Sequence, residues 1–465
     1  MALVFQQLLA EAIGDASYLV GDDAARLCAI VDPQVEVDRY VDAARGQGLA
    51  IRYVIQTHTH EDFASGVRAL AARVPGAEIC LSGHAEEAFG FAHRALREGD
   101  ELALGAVRLA VRHTPGHTPE HIALLVRKAD EDEPFAVLSG GALLVGTAGR
   151  TDLLGPERTE ELTRRQFETL RDVFGRLPDG VLVYPTHVHG SPCGAAIGDK
   201  PSTSIAHEKA HNALLRQPDE AAFRKEALGG LPPRPSYYPR LKETNTQGPP
   251  DKGISPVAGL PPREFARAVE QGEGVPVDTR QMLAFGGGHV PGALNFGAAG
   301  HLAIQAGWML DPGQPLLLVL EKDAQLDAVL TELARTGFTR LAGYLAGGMT
   351  AWQNAGLPLQ ALQQWHVRAL AAELREGAGR ITALDVRAAH EWQQGHVPGA
   401  VHVFLPELED ALDRIPREKP VAVYCDSGYR ASIAASLLQA RGFDVRNVPG
   451  SWQAWQACGL PVEKD

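Results

Sequence analysis

The sequence predicts a multidomain α/β protein, because three features point the same way. The chain has 465 residues, more than a single hydrophobic core usually organises. In residues 1–230, short apolar strands alternate with helices. Beyond residue 262, a unit of about 100 residues occurs twice, and each copy has the strand–loop–helix order of a small α/β domain with parallel strands.

The composition is that of an ordinary globular protein, with 45% hydrophobic and 22% charged residues. The formal net charge is −13 and no long basic block occurs, so we expect neither nucleic acid nor a membrane as a partner. No apolar run approaches the ~18–20 residues of a membrane span, and the N-terminus lacks a secretory pattern. We expect a cytoplasmic protein, because the five cysteines are too scattered for a disulfide scaffold: Cys28, Cys80, Cys193, Cys425 and Cys458.

Four segments of the first region have the character of strands that end in loops. Residues 52–56 run straight into a histidine array, and residues 107–111 alternate like a half-buried strand. The same periodicity recurs at 135–138 and 181–184. Loops at strand ends are where such a scaffold places metal sites.

The histidine array itself is incomplete. It contains His58, His60 and Asp62, and an H-x-H-x-D array followed by a further histidine is typical of binuclear metal sites. Here the last position is Phe63. The array therefore indicates descent from metal proteins and a change in the chemistry.

Two further loop histidines complete the candidate metal set. His117 lies in the segment H-T-P-G-H-T, and His187 lies in Y-P-T-H-V-H-G. Histidines on loops after successive strands are what a metal cage requires. We therefore predict that these loops meet at one site.

Proline, glycine and short polar residues dominate residues 229–262. So much proline argues against regular structure and predicts a linker, which we place at 236–262. The predicted domains are then 1–235, 263–361 and 365–465.

The repeat is carried by matching motifs. Asp278-x-Arg280 followed by G-H-V-P-G-A recurs as Asp385-x-Arg387 followed by the same six residues. Because both copies keep these elements, we interpret them as architectural.

Only the second copy has a cysteine loop. A strand at 420–424 ends at Cys425 in C-D-S-G-Y-R, and a helix is predicted at 432–440. Backbone N–H groups and the positive end of a helix dipole lower the pKa of a thiol placed there, and Arg430 adds a cation that could hold an anionic donor. Alignment of the copies puts Leu320 opposite Cys425.

With its flanking motifs, the C-terminal segment resembles a rhodanese domain. The resemblance implies that Cys425 carries sulfane sulfur as a persulfide and that Arg430 closes the loop around it. It also implies a substrate cradle made of Asp426, Ser427, Gly428 and Tyr429.

The first region, with G-R-T-D at 149–152 and G-S-P-C-G at 190–194, resembles the metallo-β-lactamase fold and, more narrowly, the persulfide dioxygenases. The resemblance implies an αββα sandwich followed by two rhodanese-like α/β domains with parallel sheets. It implies a mononuclear iron that converts glutathione persulfide to sulfite and glutathione. Arg150 is then expected to hold a glutathione-like carboxylate.

The iron ligands of that family correspond here to His58, His117 and Gly141, which replaces the expected Asp. Glycine offers no ligand atom, so the 2-His-1-carboxylate set cannot form.

Three outcomes remain open for this region. It is metal-free and silent, or it holds a metal such as zinc through His58, His60 and His117, or an iron site is restored by Asp62, Asp152 or His187.

The sequence favours a sulfurtransferase of sulfane-sulfur metabolism that works through Cys425. The alternatives are a bifunctional persulfide dioxygenase and sulfurtransferase with substitute ligands, a zinc thioester or lactone hydrolase fused to a rhodanese, and a non-catalytic persulfide-binding protein. The expected partners are persulfide or thiosulfate, thiols such as glutathione, and a second copy of the chain in a homodimer. The expected cofactor is one iron or zinc ion, or none.

Overall fold

A computed structural model describes residues 3–131, 133–298, 301–377 and 379–464. They form two compact units, one reaching to Ser255 with Ala334–Gly337, and the other comprising the rest of the chain from Pro256. Within these ranges, no helix combines the length and the apolar character that crossing a membrane would need.

Two mixed six-stranded sheets build the first unit. The strands of one sheet follow chain order: β1 (Leu3–Ala10), β2 (Asp15–Asp22), β3 (Leu27–Val31), β4 (Ala50–Ile55), β5 (Glu78–Ser82) and β6 (Arg94–Leu96). The other sheet runs in the order β12 to β7: β7 (Glu101–Leu104), β8 (Val107–His113), β9 (Ile122–Lys128), β10 (Ala136–Gly140), β11 (Leu182–Pro185) and β12 (Thr203–Ser204).

Helices cover the outer faces of both sheets, which gives the predicted αββα sandwich. Buried side chains of both sheets meet in a central core, while α1 and α2 pack on the first sheet and α3 to α5 on the second. The alternating strands predicted from the sequence supply that central core. The helices are α1 (Asp38–Gly46), α2 (Val67–Arg73), α3 (Pro156–Asp172), α4 (Ile205–His211), α5 (Glu220–Ala227) and α6 (Tyr238–Gln247).

The predicted linker at 236–262 contains regular structure that its proline content did not predict. It contains α6, and its last residues begin the sheet of the next domain. Pro239 is tolerated because it lies in the first turn of α6, where its missing N–H costs no helical hydrogen bond. Asn245 on this helix donates to the carbonyls of His60 and Phe63, at 2.8 Å each, so α6 holds the histidine loop in place.

Two all-parallel five-stranded sheets form the second unit, as the repeat predicts. The first has the order β13-β17-β16-β14-β15: β13 (Gly259–Leu260), β14 (Val275–Asp278), β15 (Leu294–Asn295), β16 (Leu316–Val319) and β17 (Leu341–Leu345). The second has the equivalent order β18-β22-β21-β19-β20: β18 (Gln363–Gln364), β19 (Thr382–Asp385), β20 (Val401–His402), β21 (Val421–Tyr424) and β22 (Val445–Asn447).

Four helices of the first copy correspond to the four of the second, whereas the helix at Leu302–Met309 has no α-helical counterpart among the described residues. The first copy has α7 (Pro262–Glu270), α8 (Met282–Gly287), α9 (Leu302–Met309), α10 (Leu326–Arg335) and α11 (Gly348–Asn354). The second has α12 (Val367–Glu376), α13 (Ala389–Gln394), α14 (Tyr429–Ala440) and α15 (Ser451–Ala457). Helix α14 begins three residues earlier than predicted, directly at the end of the cysteine loop.

Cys425 and Leu320, which the alignment of the two copies pairs, lie at equivalent places in the two sheets. Cys425 is the residue after β21, and Leu320 is the residue after β16, at the same point of the matching sheet. Both are buried. The two domains therefore differ in chemistry at a position where they agree in fold.

Candidate functional site

The cysteine loop curls around the sulfur atom of Cys425. The backbone N–H of Gly428 donates to Sγ over 3.1 Å, and Gly428 has φ +116°, a left-handed conformation that glycine adopts without strain. The backbone N–H of Cys425 donates to Ser451 Oγ, which ties the loop to the start of α15. The thiol thus lies in the loop that leads into the N-terminus of α14.

Arg430 is held by a partner that the sequence analysis did not identify. Its two terminal nitrogens each lie 2.6 Å from a carboxylate oxygen of Glu391 on α13. In the first copy, Ala284 and Gln325 stand at the positions of Glu391 and Arg430. The first copy therefore lacks both the ion pair and the cysteine. This joint difference between the two copies could have identified Glu391 from the sequence. Arg430 can hold an anionic donor only while it shares its charge with Glu391.

The remaining predicted cradle residues belong to the same loop and to the first turn of α14. Asp426 accepts a hydrogen bond from the Gln453 side chain over 2.7 Å, and Ser427 is exposed. The Tyr429 hydroxyl donates to the carbonyl of Gly297 over 2.9 Å, so the first rhodanese-like copy forms part of the wall around the loop.

The four candidate histidines of the first unit lie together in one buried centre. The ring of His58 lies 4.2 Å from that of His60, 4.9 Å from that of His117 and 5.3 Å from that of His187, between centroids. Each is at most 2% exposed. Burial, aided by the neighbouring imidazoles, lowers the pKa of His58 well below its usual value and that of His117 to about 3. Neutral imidazole is the form that binds metal ions.

His187 belongs to every group of donor atoms that could share a metal ion among the described residues. The groups, with atoms within 4.8 Å of one another, are His58 with His60 and His187, His117 with His187 and Cys193, and Asp15 with Asp62 and His187. The structure thus joins His58 and His60 to His187, whereas the sequence analysis joined them to His117.

Acidic side chains surround the centre and control its protonation. Burial alone would raise the pKa of Asp32, but His60, Thr186 and the N–H of Thr57 outweigh it and lower that pKa. Burial alone would lower the pKa of His187, but the charges of Cys193 and Asp62 and the hydrogen bond of Asp15 raise it.

Phe63 and Gly141 change the centre in different ways. Phe63 is buried and stacks on His60 with ring centroids 4.2 Å apart, so it fills its position with hydrocarbon and offers no ligand atom. At Gly141, a Cβ atom would lie 2.3 Å from Cδ2 of His117. The imidazole of His117 therefore fills the room that a side chain at 141 needs. The residues present do not fit the family's 2-His-1-carboxylate iron site.

His121 is part of this centre and was missed in the sequence. Its Nε2 accepts the backbone N–H of Gly141 over 2.8 Å, and its Nδ1 lies 2.7 Å from Thr114 Oγ1. Both ring nitrogens are thus engaged, and His121 acts as a support rather than as a ligand. Because His121 follows His117 by four residues, the sequence could have indicated that it belongs to the same centre.

Arg150 and Asp152 neutralise each other. Nε and Nη2 of Arg150 lie 2.7 and 2.8 Å from the two carboxylate oxygens of Asp152, and Nη1 donates to the carbonyl of Pro192. The backbone carbonyl of Arg150 accepts a hydrogen bond from His117 Nδ1. In this conformation the guanidinium binds its neighbour, and Asp152 is engaged by Arg150.

A cavity of about 220 Å³ borders the centre. Its wall includes Thr59, between the two histidines of the array, and Thr118, which follows His117. Charged side chains of both signs also line it, together with apolar ones: Glu86, Glu87, Glu120, Arg158 and Lys242, and Ala85, Phe89, Pro119 and Leu154. A small molecule with both polar and apolar groups fits such a wall.

Restoring the missing carboxylate is expected to destabilise the first domain. In Gly141→Asp the new Cβ overlaps His117, which must leave its place and its hydrogen bond to Arg150. Overpacking a buried site costs about 1–3 kcal/mol of unfolding free energy. Thermal and urea unfolding of the full chain measure this loss.

Gly180→Asp is the matched control for this change. A Cβ at Gly180 meets no heavy atom within 4 Å, so this variant should unfold like the wild type. Equal stability of Gly141→Asp and Gly180→Asp would show that the centre rearranges freely around a new side chain.

Comparison with known families matches three segments of the chain to two families. Residues 16–187 match the metallo-beta-lactamase superfamily, and residues 261–355 and 368–458 each match the rhodanese-like domain.

Individual relatives match parts of the chain. The mitochondrial persulfide dioxygenase ETHE1 of Mus musculus is 30% identical over 176 residues, covering 37% of this chain and 64% of that protein. The chain thus spans less than two thirds of that relative. A probable metallo-hydrolase of Burkholderia pseudomallei (strain 1710b) is 29% identical over 236 residues, covering 43% of this chain and 76% of that protein.

A solved structure extends beyond the first unit. The crystal structure of a metallo-beta-lactamase from Staphylococcus aureus subsp. aureus COL is 28% identical, with a TM-score of 0.67, and covers 74% of this chain and 99% of that chain.

Proposed function

Because the chain joins a metallo-beta-lactamase domain with persulfide-dioxygenase homologues to two rhodanese-like domains, we propose that it is a sulfurtransferase of sulfane-sulfur metabolism. The observation that carries the proposal is the Cys425 loop. There the Gly428 N–H points at Sγ in front of helix α14, in the only one of the two copies that has a thiol at this position.

The loop supports a cysteine that alternates between thiolate and persulfide. Hydrogen bonds to an anion favour its charged form, and the N-terminus of α14 adds a positive partial charge. Arg430 supplies a full charge beside the loop, oriented by Glu391. These groups stabilise negative charge on whichever sulfur atom is outermost.

The reaction needs two displacements. The Cys425 thiolate attacks the outer sulfur of a thiosulfate or persulfide donor, an S–S bond forms on Cys425, and the donor's S–S bond breaks as sulfite or a thiolate leaves with the electron pair. An acceptor thiolate or cyanide then attacks the outer sulfur of the persulfide. Cys425 leaves as a thiolate, which regenerates the enzyme.

Persulfide dioxygenase activity of the kind found in the family is not part of this proposal. It requires a carboxylate at the position of Gly141, and the neighbouring carboxylates are engaged elsewhere. Asp62 lies 3.0 Å from His187 Nδ1, and Asp152 pairs with Arg150. We therefore assign the transfer of sulfur to Cys425 alone.

Mapping of the bound sulfur tests the proposal. The full chain is incubated with thiosulfate or with glutathione persulfide, freed of excess donor, and digested for mass spectrometry. We expect the mass of one additional sulfur atom on the Cys425 peptide, and its loss when glutathione or cyanide is added.

The other cysteines serve as internal controls in the same digest. Burial raises the pKa of Cys28 and of Cys80 to about 12 and that of Cys193 to about 11, so these thiols should stay unmodified. Sulfur that appears on Cys193 rather than on Cys425 would contradict the proposal.

A further inference from the structure

The first rhodanese-like copy contains a cavity at the place where its sheet changes direction. Strand β14 pairs with β15 on one side and with β16 on the other, so the chain leaves β14 toward one edge of the sheet and returns on the opposite side. In open parallel sheets, ligands bind outside the carboxyl ends of the strands at such a point. The cavity, of about 240 Å³, lies there, because Thr279, Ala298 and Glu321 line it from the loops after β14, β15 and β16.

The size and the wall of this cavity suit a small ligand with an apolar part. Its volume is below the about 300–1,000 Å³ of sites for drug-sized molecules. Aliphatic side chains form one part of the wall, namely Ala298, Ala328 and Val329. The ligand is therefore expected to be a short molecule with a hydrocarbon portion.

The charge of the wall is negative. Arg280 is the cation among the described lining residues, and its guanidinium already binds Asp278 and the carbonyl of Gly288, over 2.6 and 2.8 Å. Its charge is thus neutralised within the domain. Glu321 and Glu332 add two carboxylates to the wall. Because opposite charges attract, such a wall favours a cation over an anion.

The equivalent place in the second copy has less negative charge. In the alignment of the copies, Glu332 corresponds to Leu437 and Gln325 to Arg430. Arg430 is bound by Glu391, so that pair adds no net charge to the second copy. The carboxylate of Glu332 is the difference in charge that remains. The first copy is therefore not expected to bind the anionic sulfur donors that suit the second.

The cavity lies close to the cysteine loop. The carbonyl of Gly297, next to the lining residue Ala298, accepts a hydrogen bond from the Tyr429 hydroxyl over 2.9 Å. Burial and the charge of Glu332 both raise the pKa of Tyr429. A ligand of the cavity must therefore be distinguished by experiment from a ligand of the Cys425 loop.

We propose that this cavity binds a small primary ammonium compound, with the ammonium group held by Glu321 and Glu332 and the aliphatic part against Ala328 and Val329. An ammonium group has three hydrogen-bond donors and no acceptor, which matches carboxylate oxygens. The site is separate from the thiol of Cys425. It gives the copy that lacks the sulfur carrier a ligand of its own.

An NMR titration that follows the ligand tests this site on the full chain, with n-butylammonium as the probe. Butyrate and n-butanol serve as matched probes, since they have a similar size but carry a negative charge and no charge. We expect saturable binding of n-butylammonium that weakens as the salt concentration rises, and no competition by the other two. Absent binding of n-butylammonium, or binding of butyrate that is equally tight, would overturn the proposal.

Ala328→Leu and Glu332→Gln alter the cavity in two independent ways. Leucine fills space without a change in charge, and Ala328 is exposed on α10, where leucine is a good helix former. Glutamine keeps the shape of Glu332 and removes its charge. We expect each variant to weaken n-butylammonium binding by about tenfold or more. Glu270→Gln is the control, because Glu270 is exposed at the end of α7 and does not line the cavity.

Two outcomes would place the ligand elsewhere and overturn the assignment. One is unchanged binding in both Ala328→Leu and Glu332→Gln. The other is binding that is lost in Cys425→Ser and retained in the variants of the first copy, which would place the ligand on the sulfurtransferase loop. The unfolding temperature of each variant without ligand shows whether a loss of binding reflects unfolding. In that case Glu321→Gln decides, because Glu321 is an exposed loop residue.

Discussion

Replacing Cys425 by serine is expected to abolish sulfur transfer from thiosulfate or glutathione persulfide to cyanide or a thiol. A serine hydroxyl is not ionised at neutral pH and cannot form a persulfide, so both displacements lose their nucleophile. Loss of the nucleophile should lower kcat/KM by about a thousandfold or more. A steady-state assay with each donor measures it.

Cys458→Ser provides the control for this experiment. Cys458 lies in the same domain, directly after α15, and is only partly buried. This variant should retain the rate of the wild type. Equal rates for Cys425→Ser and the wild type would remove Cys425 from the mechanism and would leave the rhodanese-like domains with a binding role.

Replacing Asp385 by alanine is expected to lower the stability of the second rhodanese-like domain by about 3–5 kcal/mol, because it leaves a buried arginine without its counter-charge. Asp385 accepts from Arg387 Nη2 over 2.6 Å, and the same nitrogen donates to the carbonyl of Gly395 over 2.8 Å. The Arg387 side chain is 2% exposed. Urea unfolding of the full chain, followed by amide hydrogen exchange in β19 and β21, measures the loss.

The repeat provides a matched second measurement. Asp278 binds Arg280 with the same 2.6 Å contact, and Arg280 donates to the carbonyl of Gly288 over 2.8 Å. Asp278→Ala should therefore destabilise the first copy by a similar amount. The half-exposed pair of Glu409 and Arg441 is the control, since Glu409→Ala should cost less than about 1 kcal/mol. Comparable costs for Asp385→Ala and Glu409→Ala would contradict the architectural role of the pair.

The two copies separate residues that make the fold from residues that perform chemistry. The Asp–Arg pairs and the stacked His289 and His396 occur in both, with His289 on Phe285 and His396 on Trp392 at 3.7 and 3.4 Å between ring centroids. Cys425, Arg430 and Glu391 occur only in the second copy. A domain without the sulfur carrier thus keeps its packing and loses the loop chemistry.

The sequence by itself determined the three domains, the fold of each, and the candidate sulfur carrier. These conclusions rest on local order, because a strand that ends at a cysteine and continues as a helix fixes the surroundings of Cys425 within a few residues. The loss of two metal ligands, at Phe63 and at Gly141, could also be predicted from the sequence, because the residue type alone shows that these side chains offer no ligand atom.

Only the tertiary structure decided which histidine nitrogens lie close together and which charged side chains are already paired with each other. His58 and His187 come from loops 129 residues apart, and their Nε2 atoms face each other because Thr57, bound to Asp32, and Asp15 hold the opposite sides of the two rings. Likewise, Arg430 meets Glu391 across 39 residues. Hydrogen-bond partners and ring orientations depend on groups brought together from distant segments, and one-dimensional spacing does not contain that information.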